Sequence, residues 1–189
     1  VINITERVLN SSGSKIYDAN TDALAADITL SNLVSGEALN HSGTATISSA
    51  NAGSYTITNL AGITIADGSG GTASNYTLTG GTHNFTTNQR PLNATLARQY
   101  DGTSNAAGSD LSSFDALQGG ETLTLSGSGS AVNDNVANGI SVSSLGTLAL
   151  VNGTGLASNY SLNSAAINIT QRVLNSCLLY TSDAADDQA

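Results

Sequence analysis

The sequence predicts an all-β protein made of two tandem, small antiparallel β-sandwich repeats, Ig-like or β-grasp-like, in an elongated array. Three observations predict this fold class: a long internal repeat, alternation of apolar and polar residues with a period of two, and clusters of turn-forming residues between the alternating stretches. Self-similarity at a fixed long period is typical of arrays in which each unit is one structural module.

The internal repeat has a period of about 83 residues. The tetrapeptide Arg-Val-Leu-Asn at 7–10 returns as Arg-Pro-Leu-Asn at 90–93 and again as Arg-Val-Leu-Asn at 172–175. Three further segments recur 83 or 84 residues apart: Tyr17-Asp18 with Tyr100-Asp101, Gly36-Glu37 with Gly120-Glu121, and Ser74-Asn75-Tyr76 with Ser158-Asn159-Tyr160. We therefore expect one repeat over 6–88 and a second over 89–171. Residues 1–5 are the expected end of a preceding repeat, and 172–176 the expected start of a truncated third.

Within each repeat, apolar residues alternate with Thr, Ser or Asn, which is typical of strands with one face on a core and one face in water. The pairs that carry this pattern are Ile28/Leu30, Ala45/Ile47, Tyr55/Ile57, Ile63/Ile65 and Tyr76/Leu78, then Leu123/Leu125, Ile140/Val142, Leu148/Leu150, Tyr160/Leu162 and Ile167/Ile169. Turn-forming clusters such as 67–71 separate them. The sequence predicts about six to eight short strands in each repeat and no sustained helix.

Aligning the two copies gives three local predictions. The apolar pair Ile63/Ile65 matches Leu148/Leu150 only at an offset of 85, so we expect hydrophobic register to override the letter match there. Residues 138–139 look like a two-residue loop insertion. Ala19 stands where the second copy has Gly102, so we expect no positive φ at Ala19, with Asn20 taking that conformation instead.

Charge excludes several classes of function. The chain has 14 acidic and 5 basic residues and a net charge of −9, and Lys15 is its only lysine. Nucleic-acid binding requires clustered basic residues, so we expect no nucleic-acid partner. No apolar run approaches the length needed to cross a bilayer, so we expect no membrane insertion in this fragment.

The third copy breaks off after residue 176. The continuation, 177–189, departs from the repeat, contains the only cysteine (Cys177), and resembles translated sequencing-adapter read-through. We interpret 177–189 as an artefactual tail, with an unrelated natural tail as the alternative. Without it the chain has no cysteine and therefore no disulfide chemistry.

Candidate chemical groups each have a simpler structural interpretation. His41 aligns with Leu125 and His83 with Ala165, so the repeat itself requires neither imidazole. Oxygen atoms of 133–135 and 67–68 could bind calcium, but turns use the same residue types. Nucleophile elbows, zinc spacings and phosphate-binding loops do not occur in the sequence. We predict no catalytic, cofactor-binding or metal-binding residues, no cofactor and no enzymatic activity.

Four tyrosines recur by repeat: Tyr17, Tyr76, Tyr100 and Tyr160. Repeated tyrosines most simply anchor small cores, with the hydroxyl reaching a backbone partner. The alternative is a stacking platform for sugars.

Several motifs together resemble the YDG-type repeats of very long bacterial surface proteins, which often carry filamentous-haemagglutinin-like secretion domains. The motifs are 100–103 (Tyr-Asp-Gly-Thr), the Gly-Glu step at 120–121, 159–162 (Asn-Tyr-Ser-Leu) and 167–170 (Ile-Asn-Ile-Thr). The resemblance covers essentially residues 6–176. It implies an adhesin-like segment at the bacterial cell surface or outside the cell, and no catalytic residues.

Two functional hypotheses follow. In the first, the repeats are structural spacers that project an adhesive region, with neighbouring repeats as their partners and host or bacterial surface glycans or proteins contacted through the parent adhesin. In the second, the repeats bind glycans or a host surface directly through Tyr-, Asn- and Thr-rich loops. Because the Arg-x-Leu-Asn connectors follow the preceding strand almost directly, we also expect a stiff junction between repeats.

Overall fold

The computed structural model describes residues 2–174, and within them it is all-β with no α-helix, which confirms the predicted fold class. The predicted tail 177–189, with Cys177, lies outside the described residues. In the first repeat the strands are β1 (Arg7–Val8), β2 (Asn10–Ile16), β3 (Asp22–Leu24), β4 (Ile28–Ser31), β5 (Leu39–Ile47), β6 (Gly53–Asn59), β7 (Ile63–Asp67), β8 (Tyr76–Thr77) and β9 (His83–Asn88). In the second they are β10 (Arg90–Gln99), β11 (Asn105–Ala107), β12 (Leu111–Phe114), β13 (Leu123–Ser126), β14 (Ser128–Ala131), β15 (Ala137–Ser144), β16 (Ala149–Asn152) and β17 (Tyr160–Thr170).

The two repeats have the same topology. The first builds a sheet in the order β3-β5-β6-β9-β2-β4, with β7 paired to β5. The second builds β11-β14-β15-β17-β10-β12, with a separate β13-β16 pair. The long strand β5 therefore corresponds to β13 plus β14, and β10 and β17 each correspond to a pair of shorter strands in the first repeat. Four single 3₁₀ turns connect strands, at Ala25–Asp27, Ala73–Asn75, Gly108–Asp110 and Ala157–Asn159.

At the centre of each sheet the first and last strands of the repeat pair in parallel, which the expectation of a purely antiparallel sandwich did not include. Strand β2 pairs with β9 from Ser11 opposite His83 to Ile16 opposite Asn88, and β10 pairs with β17 along its whole length. Alternation with a period of two occurs in parallel and antiparallel strands alike. The pattern therefore could not distinguish them.

The predicted hydrophobic register is confirmed. His41 pairs with Ile65 in the first repeat, and Leu125 pairs with Leu150 in the second. His41 and Leu125 are 84 residues apart and their partners 85 apart, as the apolar alternation required. A slip of one residue would have turned Leu150 to the opposite face of its strand.

The insertion predicted at 138–139 is not in a loop. Ala137 and Ile140 of β15 pair with Ile169 and Ile167 of β17, so three steps on one strand match two on the other. The corresponding pairing of β6 with β9 has no such extra residue. A single extra residue accommodated inside a strand is a β-bulge, and Gly139 supplies the positive φ of 68° there.

Each repeat has a core of its own, and the two cores fill one position in opposite ways. In the first repeat Gly13 pairs with Phe85, whose ring would lie 2.7 Å from a Cβ added to Gly13. In the second repeat Leu96 pairs with Ile167 at the same place, and both side chains are fully buried. A large aromatic ring over glycine is thus replaced by two aliphatic side chains, which keeps the core filled.

Candidate functional site at the junction of the two repeats

Only Gln89 separates the last strand of the first repeat from the first strand of the second. The amide of Tyr17 donates to the carbonyl of Asn88 over 2.9 Å, and Nε of Arg90 donates to the Tyr17 carbonyl over 2.8 Å. The side-chain amide of Gln89 reaches the carbonyl of Ser158 over 3.1 Å. Backbone at the end of β2 is therefore tied to the connector from both sides.

The side chain of Tyr17 leaves its own repeat and packs on the second. Its ring lies edge-on to the ring of Tyr160, with 5.3 Å between centroids and 77° between planes. Leu92 and Leu123 complete a buried cluster with these two rings, and Tyr17 is only 3% exposed. Edge-to-face aromatic pairs of this kind are favourable beyond the area they bury.

Glu121 accepts hydrogen bonds from both rings. The hydroxyl of Tyr17 donates to Oε1 over 2.6 Å, and the hydroxyl of Tyr160 donates to Oε2 over 2.5 Å. The Tyr160 oxygen in turn accepts the amide of Gln118 over 3.0 Å. Hydrogen bonds to a carboxylate are shorter and stronger than neutral ones, so this carboxylate joins the two repeats through a specific pair of contacts.

Asn159 forms a second polar link. Its Oδ1 accepts the amide of Ala52 over 2.9 Å, and its Nδ2 donates to Oδ1 of Asn51 over 3.1 Å. Asn159 is 1% exposed, so its amide group is satisfied by the loop of the other repeat instead of by water. The junction thus combines an apolar cluster with two buried polar anchors.

The environment of the junction shifts two ionisation equilibria. Burial, followed by the hydrogen bond to Glu121, raises the pKa of Tyr17 to about 12. Burial and the same carboxylate also raise the pKa of Tyr160. Each phenol is therefore held as a hydrogen-bond donor, which is the form the junction needs.

The Tyr-Asp motif that precedes the junction is a turn closed by a cation three residues earlier. Lys15 forms an ion pair with Asp18 over 2.8 Å, and the amide of Asn20 donates to the same carboxylate over 3.2 Å. In the second repeat Arg98 pairs with Asp101. The hydrogen bond from the Thr103 amide, with Thr103 Oγ1 and Arg98, lowers the pKa of Asp101.

Ala19 adopts a positive φ of 64°, close to the 75° of Gly102, so the expectation that Asn20 would take this conformation is wrong. The side chain of Asn20 instead accepts from Lys15 Nζ over 2.8 Å. The turn geometry is thus imposed by the ion pair and the junction, and Ala19 adopts it at a steric cost.

The equivalents of the junction residues at the outer ends of the chain are arranged in the same way. Tyr76 donates its hydroxyl to Glu37 and accepts the amide of Val34 over 3.1 Å, as Tyr160 does with Glu121 and Gln118. The hydrogen bond to Glu37 raises the pKa of Tyr76. At the other end Tyr100, the counterpart of Tyr17, is 39% exposed.

Both histidines make structural hydrogen bonds. Nε2 of His41 lies 3.0 Å from the Ala25 carbonyl and 2.9 Å from the Ile28 carbonyl. Nε2 of His83 lies 2.9 Å from the Leu78 carbonyl, and its Nδ1 lies 2.9 Å from Oγ of Ser11. Each ring therefore ties neighbouring backbone segments of the first repeat together.

The oxygens considered for calcium are engaged in turns. Oδ1 of Asp67 accepts the amide of Ala73 over 2.7 Å, and Oδ1 of Asn133 accepts the amide of Asn135 over 3.0 Å. Within residues 2–174, no three His, Cys, Asp or Glu side chains converge in a cluster that could hold a metal ion. Over the same residues no helix is both long and apolar enough to cross a membrane.

Sequence reasoning found the recurring tyrosines but missed their partners. We expected the hydroxyls to reach backbone groups, and those of Tyr76 and Tyr160 do accept backbone amides, yet the stronger partners are the carboxylates of Glu37 and Glu121. The recurrence of the Gly-Glu step 84 residues apart was the signal that could have identified them.

Comparison with known proteins agrees with the repeat. The YDG domain model matches the chain twice, over residues 4–84 and 88–167. No curated protein and no solved structure matches the chain. Each match contains one complete sheet with its Tyr-Asp turn and its Tyr–Glu pair. The chain belongs to the YDG domain family and carries two copies of the domain.

Proposed function

We propose that the chain is a non-catalytic spacer segment of a bacterial adhesin, at the cell surface or secreted, in which tandem repeats hold an adhesive region away from the cell. One observation carries the proposal. Tyr17 of the first repeat is buried against Leu92, Leu123 and Tyr160 of the second and bonded to Glu121. A buried contact of this kind fixes the orientation of one repeat on the next.

Fixed orientation matters for a spacer because of how reach grows with length. The span of a flexible chain grows only with about the square root of its residue number, whereas a rigid array grows in proportion to the number of units. The one-residue connector at Gln89 and the polar anchor at Asn159 both restrict bending. Repeats joined in this way convert added sequence into distance.

Composition supports a location outside the cell. The net charge of −9 keeps a long array soluble and disfavours adsorption to anionic surfaces. The partners that we propose are neighbouring repeats of the same chain, with host or bacterial glycans or proteins contacted by other parts of the adhesin.

Direct glycan binding is the alternative, and the position of the tyrosines weighs against it. A stacking platform needs exposed rings, and three of the four recurring tyrosines are buried: Tyr17, Tyr76 and Tyr160. Only Tyr100 among the four is substantially exposed. A glycan site would therefore have to form around that one ring.

A binding assay and a distance assay test the proposal together. The full chain, offered to a glycan array and to host cells, should show no saturable binding. Inserted in one, two and three copies between an outer-membrane anchor and an epitope, it should move the epitope outwards by an equal step for each copy. Saturable binding that Tyr100→Ser abolishes and Tyr17→Phe leaves intact would overturn the spacer function, as would an epitope distance independent of copy number.

A further inference from the structure

Both outer ends of the chain carry one half of the junction that joins the two repeats. The junction is heterologous, since the first repeat contributes its Tyr-Asp turn and the 51–52 loop while the second contributes a Tyr–Glu pair and an asparagine. Heterologous contacts do not close on themselves and can extend into an open array. Each repeat therefore has both a donor face and a receptor face.

The receptor face of the first repeat is the groove around Glu37. Glu37 and Tyr76 form the same hydrogen-bonded pair as Glu121 and Tyr160. Asn75 corresponds to Asn159 in sequence. These residues, with Val34 and Arg7, line an open groove of about 410 Å³, and Val34 is 46% exposed. The groove thus lies where a tyrosine of a preceding repeat would enter.

Arg7 shows that this end is built for a contact it does not make within the described residues. Its counterpart Arg90 donates to the carbonyl of Tyr17 across the junction. Arg7 instead donates to the carbonyl of Asn32 over 2.6 Å and to its Oδ1 over 2.8 Å. Both partners of Arg7 lie in its own repeat.

The donor face of the second repeat lies around Tyr100. Tyr100 corresponds to Tyr17, Asn135 to Asn51 and Val136 to Ala52. Tyr100 and Val136 are 39% and 46% exposed, and together with Arg172 and Leu174 they line a second cleft, of about 460 Å³. Arg172 and Leu174 occupy the sequence positions that Arg90 and Leu92 have in the observed junction, where Leu92 is fully buried.

We propose that these two faces are docking sites for further copies of the same repeat, with Tyr100 of one copy entering the Glu37–Tyr76 groove of the next. The amide of Val136 then donates to Asn75 of that next copy, and Arg172 takes the role that Arg90 has towards Tyr17. This inference rests on the proposed spacer function and adds the residues by which the array propagates.

A tandem duplication tests the docking directly. Residues 2–171 followed by residues 7–171 give a four-repeat chain in which the new connector reproduces the natural sequence from Thr170 to Asn175 and which lacks Cys177. The observed junction supplies the geometry for a cross-link, because Cβ of Ala19 lies 3.8 Å from a Cβ built on Gly119. That separation is the mean for disulfides, about 3.8 Å. The corresponding positions at the new junction are Gly102 and Ser35.

The test variant carries Gly102→Cys in the first copy and Ser35→Cys in the second. The control carries the same two substitutions at the outer ends, Ser35→Cys in the first copy and Gly102→Cys in the second. In dilute protein under mild oxidation, the test variant should form its intramolecular disulfide at least about tenfold faster than the control, because docking raises the effective concentration of the thiols. Ala19→Cys with Gly119→Cys in the natural chain calibrates the rate at a known junction.

Amide exchange in the cysteine-free tandem gives a second, independent result. The amide of Val136 in the first copy should exchange at least about tenfold more slowly than in the natural chain, while Val136 of the second copy is unchanged. Equal cross-linking in test and control variants, or unchanged exchange at Val136, would overturn the docking proposal. Either result would leave the spacer function to be judged by its own binding and distance assays.

Discussion

Tyr17 of the first repeat donates its phenol hydrogen to Glu121 of the second over 2.6 Å, although the two residues are 104 positions apart in the chain. Tyr160 binds the other oxygen of the same carboxylate. One acidic side chain therefore serves the core of its own repeat and the attachment of the preceding one. Removal of either phenol separates these two roles.

Replacing Tyr17 with phenylalanine should weaken the junction without emptying the apolar cluster. A hydrogen bond to a charged group contributes about 1.5–3 kcal/mol, so Tyr17→Phe should reduce the free energy of unfolding by an amount in that range. Denaturant unfolding measures it. Tyr100→Phe removes the equivalent hydroxyl at the exposed end and should change stability by less than about 0.5 kcal/mol.

A double-mutant cycle assigns the loss to the right pair. With Glu121→Gln as the second substitution, the coupling between positions 17 and 121 should exceed about 0.5 kcal/mol, as expected for residues in contact. Additive effects of the two substitutions would show that the carboxylate does not recognise Tyr17.

Alkaline conditions should release the junction before the sheets unfold. The pKa of Tyr17 is raised in the folded chain to about 12, above its ordinary value of 10.0, so the stabilising form is the protonated phenol. The contribution is complete below about pH 10 and is lost as the pH rises through about 12. Tyrosinate absorbance followed from pH 9 to pH 12.5 should show one late-titrating phenol that is missing in Tyr17→Phe. Full ionisation of all tyrosines near pH 10 would contradict the buried junction.

Glycine at position 19 should stabilise the first repeat. Ala19 has a φ of 64°, and an L-residue in this region costs roughly 1–2 kcal/mol relative to glycine. Part of that gain is offset by the greater freedom of glycine in the unfolded chain, so we expect Ala19→Gly to add about 0.5–1 kcal/mol. Gly102→Ala, at the equivalent turn with a φ of 75°, should lose a similar amount. Changes of the same sign in the two variants would refute the strain at Ala19.

Thr87 is a second position where the repeats disagree. Its hydroxyl is buried with no hydrogen-bond partner in the part of the chain that the structure describes, and the second repeat has Ile169 at the corresponding position. An unsatisfied buried polar group costs about 1–3 kcal/mol, so Thr87→Val should raise the thermal midpoint. Ile169→Thr should lower it. A lower midpoint for Thr87→Val would mean that the hydroxyl is satisfied in solution.

Local patterns predicted the strands but not how they pair. Alternation at Ile167/Ile169 and Leu148/Leu150 set the face that each strand buries, and their register follows it. The parallel pairing of β10 with β17 depends on chain topology over about 70 residues, which alternation does not report. Ala19 was mispredicted for a related reason, since an ion pair and a packed junction outweigh the local preference of alanine.

The site was predictable only in part for the same physical reason. Recurrence marked Tyr17 and Tyr160 as buried anchors, and both are buried. Nothing in their own sequence surroundings indicates that Tyr17 is buried by the other repeat, because the contact partner lies in the next copy. Comparing the two copies for what recurs beside the tyrosines, namely Glu37 and Glu121, is the only sequence signal for the pair.

Residual dipolar couplings test the central claim most directly, since they report whether the two repeats share one orientation. Backbone couplings from residues 7–88 and from 90–170 of the natural chain should fit a single alignment tensor with the relative orientation of the structure, and Tyr17→Ala should make the two tensors differ. Two independent tensors in the natural chain, of unequal magnitude and unchanged by Tyr17→Ala, would show that the repeats are flexibly tethered and that the junction does not hold them.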